Sequence, residues 1–178
     1  MKIKDLEFKK LIAAAKVEER VAELATQINT DYKDKNPILL PILNGSFMFA
    51  SDLMKELKIT CRVSFVKISS YSGTTTTGQL KTLIGHDESL FNQDILIVED
   101  VVDTGLTLSK IMEELRDLGT KSVEAIALLR KAPAREKNID VKYVGFDLEN
   151  DFVLGYGMDY DGLGRNRKDI YKSIGEDK

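Results

Sequence analysis

The sequence predicts an α/β fold in which a parallel, doubly wound sheet is covered by helices on both faces. Three observations predict it. Short runs that are apolar almost without a break, such as Pro37-Ile38-Leu39-Leu40-Pro41-Ile42-Leu43, suit strands buried on both faces. Between such runs lie stretches whose apolar residues recur at helical spacing. Polar, glycine-bearing segments then follow the runs, where open parallel sheets bind their ligands, outside the carboxyl ends of the strands.

Taken in order, the first helix is expected from about Lys16 to Asn29, with Val17, Val21, Leu24, Ala25 and Ile28 on one face. The Pro37–Leu43 run reads as a strand, although Pro41 argues against it, because a central strand loses a ladder donor there. Asn44-Gly45-Ser46 turns the chain into a helix carrying Ala50, Leu53, Met54 and Leu57. Cys61 to Ile68 and Asp94 to Glu99 read as strands. A strong helix follows, with Leu108, Ile111, Met112, Leu115 and Leu118 on one face and Gly119 as its stop. Ser122 to Leu129 and Val141 to Phe146 complete the sheet. No repeat or linker divides the 178 residues, so one domain is expected, with a core from about residue 16 to residue 147.

Composition narrows the function classes. A single cysteine, Cys61, rules out an internal disulfide framework, and with one histidine, His86, it cannot build a Cys/His metal site. No window offers the roughly 18 uninterrupted apolar residues of a membrane helix. The charged start, Met1 to Lys10, lacks the apolar stretch of a secretion signal, so the cytoplasm is the compartment expected. A net charge of −3 argues against general nucleic-acid binding. No role for Cys61 or His86 follows from the sequence.

The most informative stretch is Ile95-Leu96-Ile97-Val98-Glu99-Asp100-Val101-Val102-Asp103-Thr104-Gly105-Leu106-Thr107. An apolar strand runs into two adjacent carboxylates, then a small-residue turn, then a helix. The turn from Asp103 to Thr107 presents backbone N–H groups and two hydroxyls at a helix N-terminus, which suits a phosphate. Gly105 lets the backbone approach a ligand closely. The lysine that follows the glycines of a nucleotide-triphosphate P-loop is missing. Carboxylates beside a phosphate would repel it unless they bound something else. Glu99 and Asp100 can grip the hydroxyls of a ribose, or a divalent cation that offsets their charge. The plainer alternative is a helix cap beside two solvated acids.

This segment resembles the phosphoribosyl-pyrophosphate signature of type I phosphoribosyltransferases, in the version of their hypoxanthine-guanine branch. The resemblance implies that Glu99 and Asp100 bind the ribose hydroxyls and that Asp103, Thr104, Gly105, Leu106 and Thr107 hold the 5′-phosphate. It also puts Asp103 near the purine N7 as general base. Four further segments match in the family's order, so the likeness spans roughly Leu40 to Arg165. Asn44 and Gly45 resemble the pyrophosphate loop, which often carries a cis peptide ahead of its glycine. Many members have lysine where this chain has Asn44, which leaves backbone contact as the expected mode. Ser70 and Tyr71, in a polar run rich in threonine, resemble the mobile lid that excludes water from the reacting centre.

Lys131 corresponds to the lysine that reads the purine 6-oxo group, with Arg130 as its solvent-facing neighbour. The segment from Asp151 to Arg165 resembles the family's purine-binding hood, a small subdomain expected from the N-terminal segment together with residues 148–178. There Phe152 would stack on the base and the Val153 backbone would meet its edge. Asp159 would hold a second magnesium ion through water, completing a metal set of Glu99, Asp100 and Asp159. Arg165 would contact pyrophosphate, with Arg167 as the alternative because Asp161-Gly162-Leu163-Gly164 lacks the bulky residues common elsewhere in the family.

The reaction implied joins phosphoribosyl pyrophosphate to N9 of hypoxanthine or guanine, with magnesium as cofactor, IMP or GMP as product, and a homodimer or homotetramer as the assembly. Xanthine is left open as a further substrate. Rival readings are a phosphoribosyltransferase for another base, a regulatory RNA-binding protein on the same fold, and a signalling receiver domain. The acidic pI of about 5.4 disfavours the second. The position of the acid pair past the middle of the chain disfavours the third.

Overall fold

A computed structural model describes residues 1–67, 89–136 and 138–174. The chain opens as an antiparallel hairpin, β1 (Lys2–Ile3) and β2 (Leu6–Ile12), and enters α1 (Ala14–Asp31). The stripe Val17, Val21, Leu24, Ala25 and Ile28 is buried, as its spacing requires. Ala13, at the N-cap, has no side chain to satisfy the first helical donors. Asp169, 155 residues away, supplies the acceptor: its Oδ1 takes the Ala14 N–H at 2.8 Å. Lys10 pairs with the other carboxylate oxygen at 2.8 Å.

The Lys10 and Ala14 contacts hold the Asp169 carboxyl below its usual range. A depressed folded-state value means the stabilisation is present above the unfolded pKa of about 4 and is lost as pH falls through the folded one. Asp169→Asn is therefore expected to lower Tm at neutral pH, with the gap to wild type closing below about pH 4. Thermal melts across pH check this, and a gap that persists in acid would exclude the charge as its cause.

Next come β3 (Ile38–Leu43), α2 (Phe47–Glu56), β4 (Arg62–Val63), β5 (Val66–Lys67), β6 (Asp94–Val102), α3 (Leu106–Asp117), β7 (Ser122–Lys131), the short α4 (Ala132–Glu136) and β8 (Tyr143–Leu148). The strands form a parallel sheet in the order β4-β3-β6-β7-β8, with β5 continuing beside β3. Alternate strand residues serve the two faces. Leu39, Leu96, Val98, Ile126 and Leu128 pack towards α1 and α2. Ile38, Leu40, Ile95, Ile97 and Ala125 pack towards Leu108, Ile111, Met112 and Leu115 of α3.

The strand expected from Pro37 to Leu43 forms despite Pro41, and three other expectations need correction. Pro41 sits inside β3, paired with Val98 of β6. Leu39 accepts from Ser64 N–H, so Pro41, two residues on, turns its donor-less nitrogen to the same side. There the stretch expected as one strand, Cys61–Ile68, is interrupted at Ser64-Phe65 between β4 and β5, so no ladder bond is sacrificed. Leu118 is 58% exposed: α3 ends at Asp117, Leu118 is its C-cap, and Gly119, with a φ of 76°, turns the chain off the helical path. The acid-bearing strand runs on to Val102, so Asp100 lies inside the strand and not beyond its end.

A second, antiparallel sheet combines the two ends of the chain in the order β1-β2-β10-β9, where β9 is Val153–Leu154 and β10 is Ile170–Ile174. It stands on the α1–α2 side, because Val153, Tyr156, Met158 and Ile170 share the core that those helices cover. The Tyr156 hydroxyl donates to Asp52 of α2 at 2.5 Å and ties the two parts together.

Candidate active site

The carboxyl ends of β3, β6 and β7 converge on one edge of the parallel sheet. Glu99 and Asp100, towards the end of β6, are both partly buried. Burial pushes the Glu99 carboxyl well above the usual carboxylate range, and the neighbouring Asp100 charge adds to the effect. Asp100 is raised as well, again by burial. Backbone N–H groups of Val101 and of Asp100 itself, and the Arg165 cation, pull the other way. The pair therefore sits in a place that favours a cation or hydroxyl donors between its oxygens.

Past Val102, Asp103 and Thr104 are exposed, and Gly105 takes a left-handed φ of 74° that starts α3. Gly105, at the N-cap, has no side chain to cap the helix, and only a long contact from Leu106 N–H to Thr104 Oγ1, 3.5 Å, reaches the first turn from a neighbouring side chain. Leu106, 62% exposed, and Thr107 present the first turn to solvent. A helix N-terminus left this open is a ready anion site.

Lys131, the last residue of β7, reaches Asp103 across the strand ends: Nζ lies 3.1 Å from Oδ2. Its side chain is only 11% exposed, against 55% for Asp103. Arg130 is bound away from this pair by a two-point contact with Asp147 on β8, at 2.8 and 3.1 Å.

On the other flank, the Leu43–Asn44 peptide is cis and leads into Gly45. A Cβ on Gly45 would lie 1.6 Å from Asp100 Oδ2, so the loop backbone rests against that carboxylate. Above it, a Cβ on Gly157 would lie 2.1 Å from the Gly45 carbonyl oxygen. The same hairpin carries Asp159 and Arg165, whose guanidinium is 2.6 Å from Asp159 Oδ1 and donates to the Gly157 carbonyl at 2.6 Å. Gly157 is not among the site residues expected from the sequence. Its signal was the close run of glycines at 155 and 157 in an apolar stretch.

Asn44, Gly45, Glu99, Asp100, Asp159 and Arg165 thus form one cluster, and Asp103, Lys131 and the start of α3 form another along the same strand ends. Arg167 is exposed, its backbone carbonyl accepting from Tyr156 N–H. Phe152 is 40% exposed and stacks edge-on against Tyr160 at 5.6 Å, while Val153 is buried in β9. Ser70 and Tyr71 lie outside the described residues.

Among the described residues no three His, Cys, Asp or Glu side chains gather as a metal cage. Magnesium does not need one: it takes one or two carboxylates and completes its shell with water and substrate phosphates. A raised, paired Glu99 and Asp100 with Asp159 nearby fit that mode of binding.

A family model for the phosphoribosyl transferase domain matches residues 9–161. The chain is 43% identical over 153 residues to the hypoxanthine phosphoribosyltransferase of Escherichia coli strain K12, covering 84% of this chain and 86% of that protein. It is 39% identical over 158 residues to the hypoxanthine-guanine phosphoribosyltransferase of Mycobacterium tuberculosis strain H37Rv, covering 85% and 78%. A solved hypoxanthine-guanine phosphoribosyltransferase from Bacillus anthracis superposes with a TM-score of 0.85 at 32% identity, covering 96% of this chain and all of that one.

Proposed function

The chain belongs to the phosphoribosyl transferase family, and we propose that its site moves the 5-phosphoribosyl group of phosphoribosyl pyrophosphate onto N9 of hypoxanthine or guanine, giving IMP or GMP and pyrophosphate. The observation that carries the base preference is the Lys131–Asp103 pair. A 6-oxopurine offers an acceptor, O6, at the 6-position, whereas adenine offers a donor there. Lys131, with hydrogens only to give, suits the first and is left unpaired against the second, a mismatch worth far more than a missing methyl group.

The division of labour is the one the family resemblance implies, and the geometry of the site supports it. The open first turn of α3, from Thr104 to Thr107, holds the 5′-phosphate through backbone donors, with Asp103 at its threshold. Glu99 and Asp100 hold the ribose hydroxyls. Gly45, with the Asn44 backbone, and Arg165 receive pyrophosphate. Phe152 and the Val153 backbone present the base in line with the anomeric carbon. As the N9–C1′ bond forms and the bond to pyrophosphate breaks, Asp103 accepts the proton that the purine loses from N7. Glu99, Asp100 and, through water, Asp159 would hold magnesium, which when bound supplies positive charge against the pyrophosphate oxygens. Ser70 and Tyr71 act as a lid, the assembly is a homodimer or homotetramer, and the enzyme works in the cytoplasm.

A purine panel assayed for pyrophosphate release tests the reading. Turnover with hypoxanthine and guanine, background rates with adenine, and loss of activity on chelation with recovery on adding magnesium are expected. Adenine turnover equal to that of hypoxanthine would overturn the Lys131 assignment, and activity unaffected by chelation would overturn the metal's part.

A further inference from the structure

We propose that the turn of the β1–β2 hairpin is a working part of the base site, in which Asp5, acting through Tyr160, sets the plane of the Phe152 ring. This rests on the reading of Phe152 as the surface on which the purine stacks. Phe152 is 40% exposed and packs against two aromatic neighbours. Phe8 of β2, 1% exposed, lies 6.2 Å from Phe152 and 6.3 Å from Tyr160, centroid to centroid, and forms the floor of the trio. Tyr160 meets Phe152 edge-on, with an interplanar angle of 81°. An edge-to-face contact prefers one relative orientation, so fixing one ring restricts the other.

What fixes Tyr160 comes from the far end of the chain. Its hydroxyl donates to Asp5 Oδ1 at 2.6 Å, between residues 155 positions apart. The backbone of Tyr160 is closed into a tight turn by reciprocal bonds with Leu163 at 3.0 Å, and Lys4 forms an ion pair with Asp161 in that turn. Asp5 and Tyr160 are thus positioning residues: neither is placed on the reacting atoms, and their effect reaches the purine through Phe152.

Steady-state kinetics on the full chain distinguish this from a purely structural role. Tyr160→Phe, which keeps the ring and removes the hydroxyl, is expected to raise the purine KM roughly threefold to tenfold, the span of an aromatic-pair energy. Asp5→Ala is expected to do the same. In both, kcat and the KM for phosphoribosyl pyrophosphate stay within about twofold of wild type, the signature of lost uniform binding of one substrate. The double variant is expected to be no worse than either single one, and Asp5→Asn, which keeps an acceptor, to restore the purine KM.

Phe152→Ala serves as the reference. If it raises the purine KM while Tyr160→Phe and Asp5→Ala do not, the clamp is wrong and the stacking assignment stands. If Phe152→Ala leaves the purine KM unchanged, the stacking assignment fails and the clamp with it. Additive effects of Asp5→Ala and Tyr160→Phe would overturn the route through Tyr160.

Discussion

Asp103→Asn is expected to lower kcat by about two orders of magnitude while phosphoribosyl pyrophosphate still binds. The amide has the shape of the carboxylate and keeps a hydrogen-bonding oxygen, but it cannot take a proton. Donor binding depends on other groups, chiefly the open first turn of α3 and the Glu99–Asp100 pair, and neither is altered. The substitution also removes the countercharge 3.1 Å from Lys131. Lys131 then faces only a neutral amide oxygen as its internal partner, a weaker competitor with the purine 6-oxo group than the carboxylate, so oxopurine binding is expected to hold or tighten while turnover falls. Single-turnover rates, with separate titrations of donor and purine, resolve the two. Undiminished turnover would remove Asp103 as the base, and a parallel loss of donor affinity would make it a binding group.

How much of the molecule is legible in its sequence depends on the range of the interaction concerned. The buried face of α1 and the alternation of helices and strands rest on local periodicity, and Val17, Val21, Leu24, Ala25 and Ile28 are buried together as their spacing requires. The acid pair, the glycine turn and the Lys131 strand end are legible because chemistry-bearing residues interrupt apolar runs at sheet edges. Other features depend on which distant segment the fold brings alongside. Asp169 capping α1, Tyr156 bonding Asp52 and Tyr160 bonding Asp5 join residues more than a hundred positions apart, and no spacing rule links such partners. Pro41 shows the same limit in the ladder: whether its missing donor matters is decided by a break in a neighbouring strand.

The glycines at 45 and 157 lie against each other, yet alanine at the two positions is expected to fail in opposite ways. At Gly45 the added methyl would collide with the Asp100 carboxylate, 1.6 Å away, and with no backbone atom among its nearest neighbours. A carboxylate can swing aside, so the fold survives and Asp100 leaves its place beside Glu99. A displacement of about an ångström in a positioning group is enough for roughly a hundredfold loss of rate. Gly45→Ala is therefore expected to cut kcat/KM for phosphoribosyl pyrophosphate by about two orders of magnitude with little change in Tm. At Gly157 the collision is with the Gly45 carbonyl oxygen, 2.1 Å away, and φ is +100°. Backbone cannot rotate out of the way as a side-chain tip can, and a side chain at that φ is strained in any case. Gly157→Ala should therefore lower Tm and loosen the hairpin that bears Asp159 and Arg165. Melting curves read beside kinetics separate the two outcomes. A Gly45→Ala enzyme that keeps wild-type kcat/KM would mean that the position of Asp100 does not control the reaction.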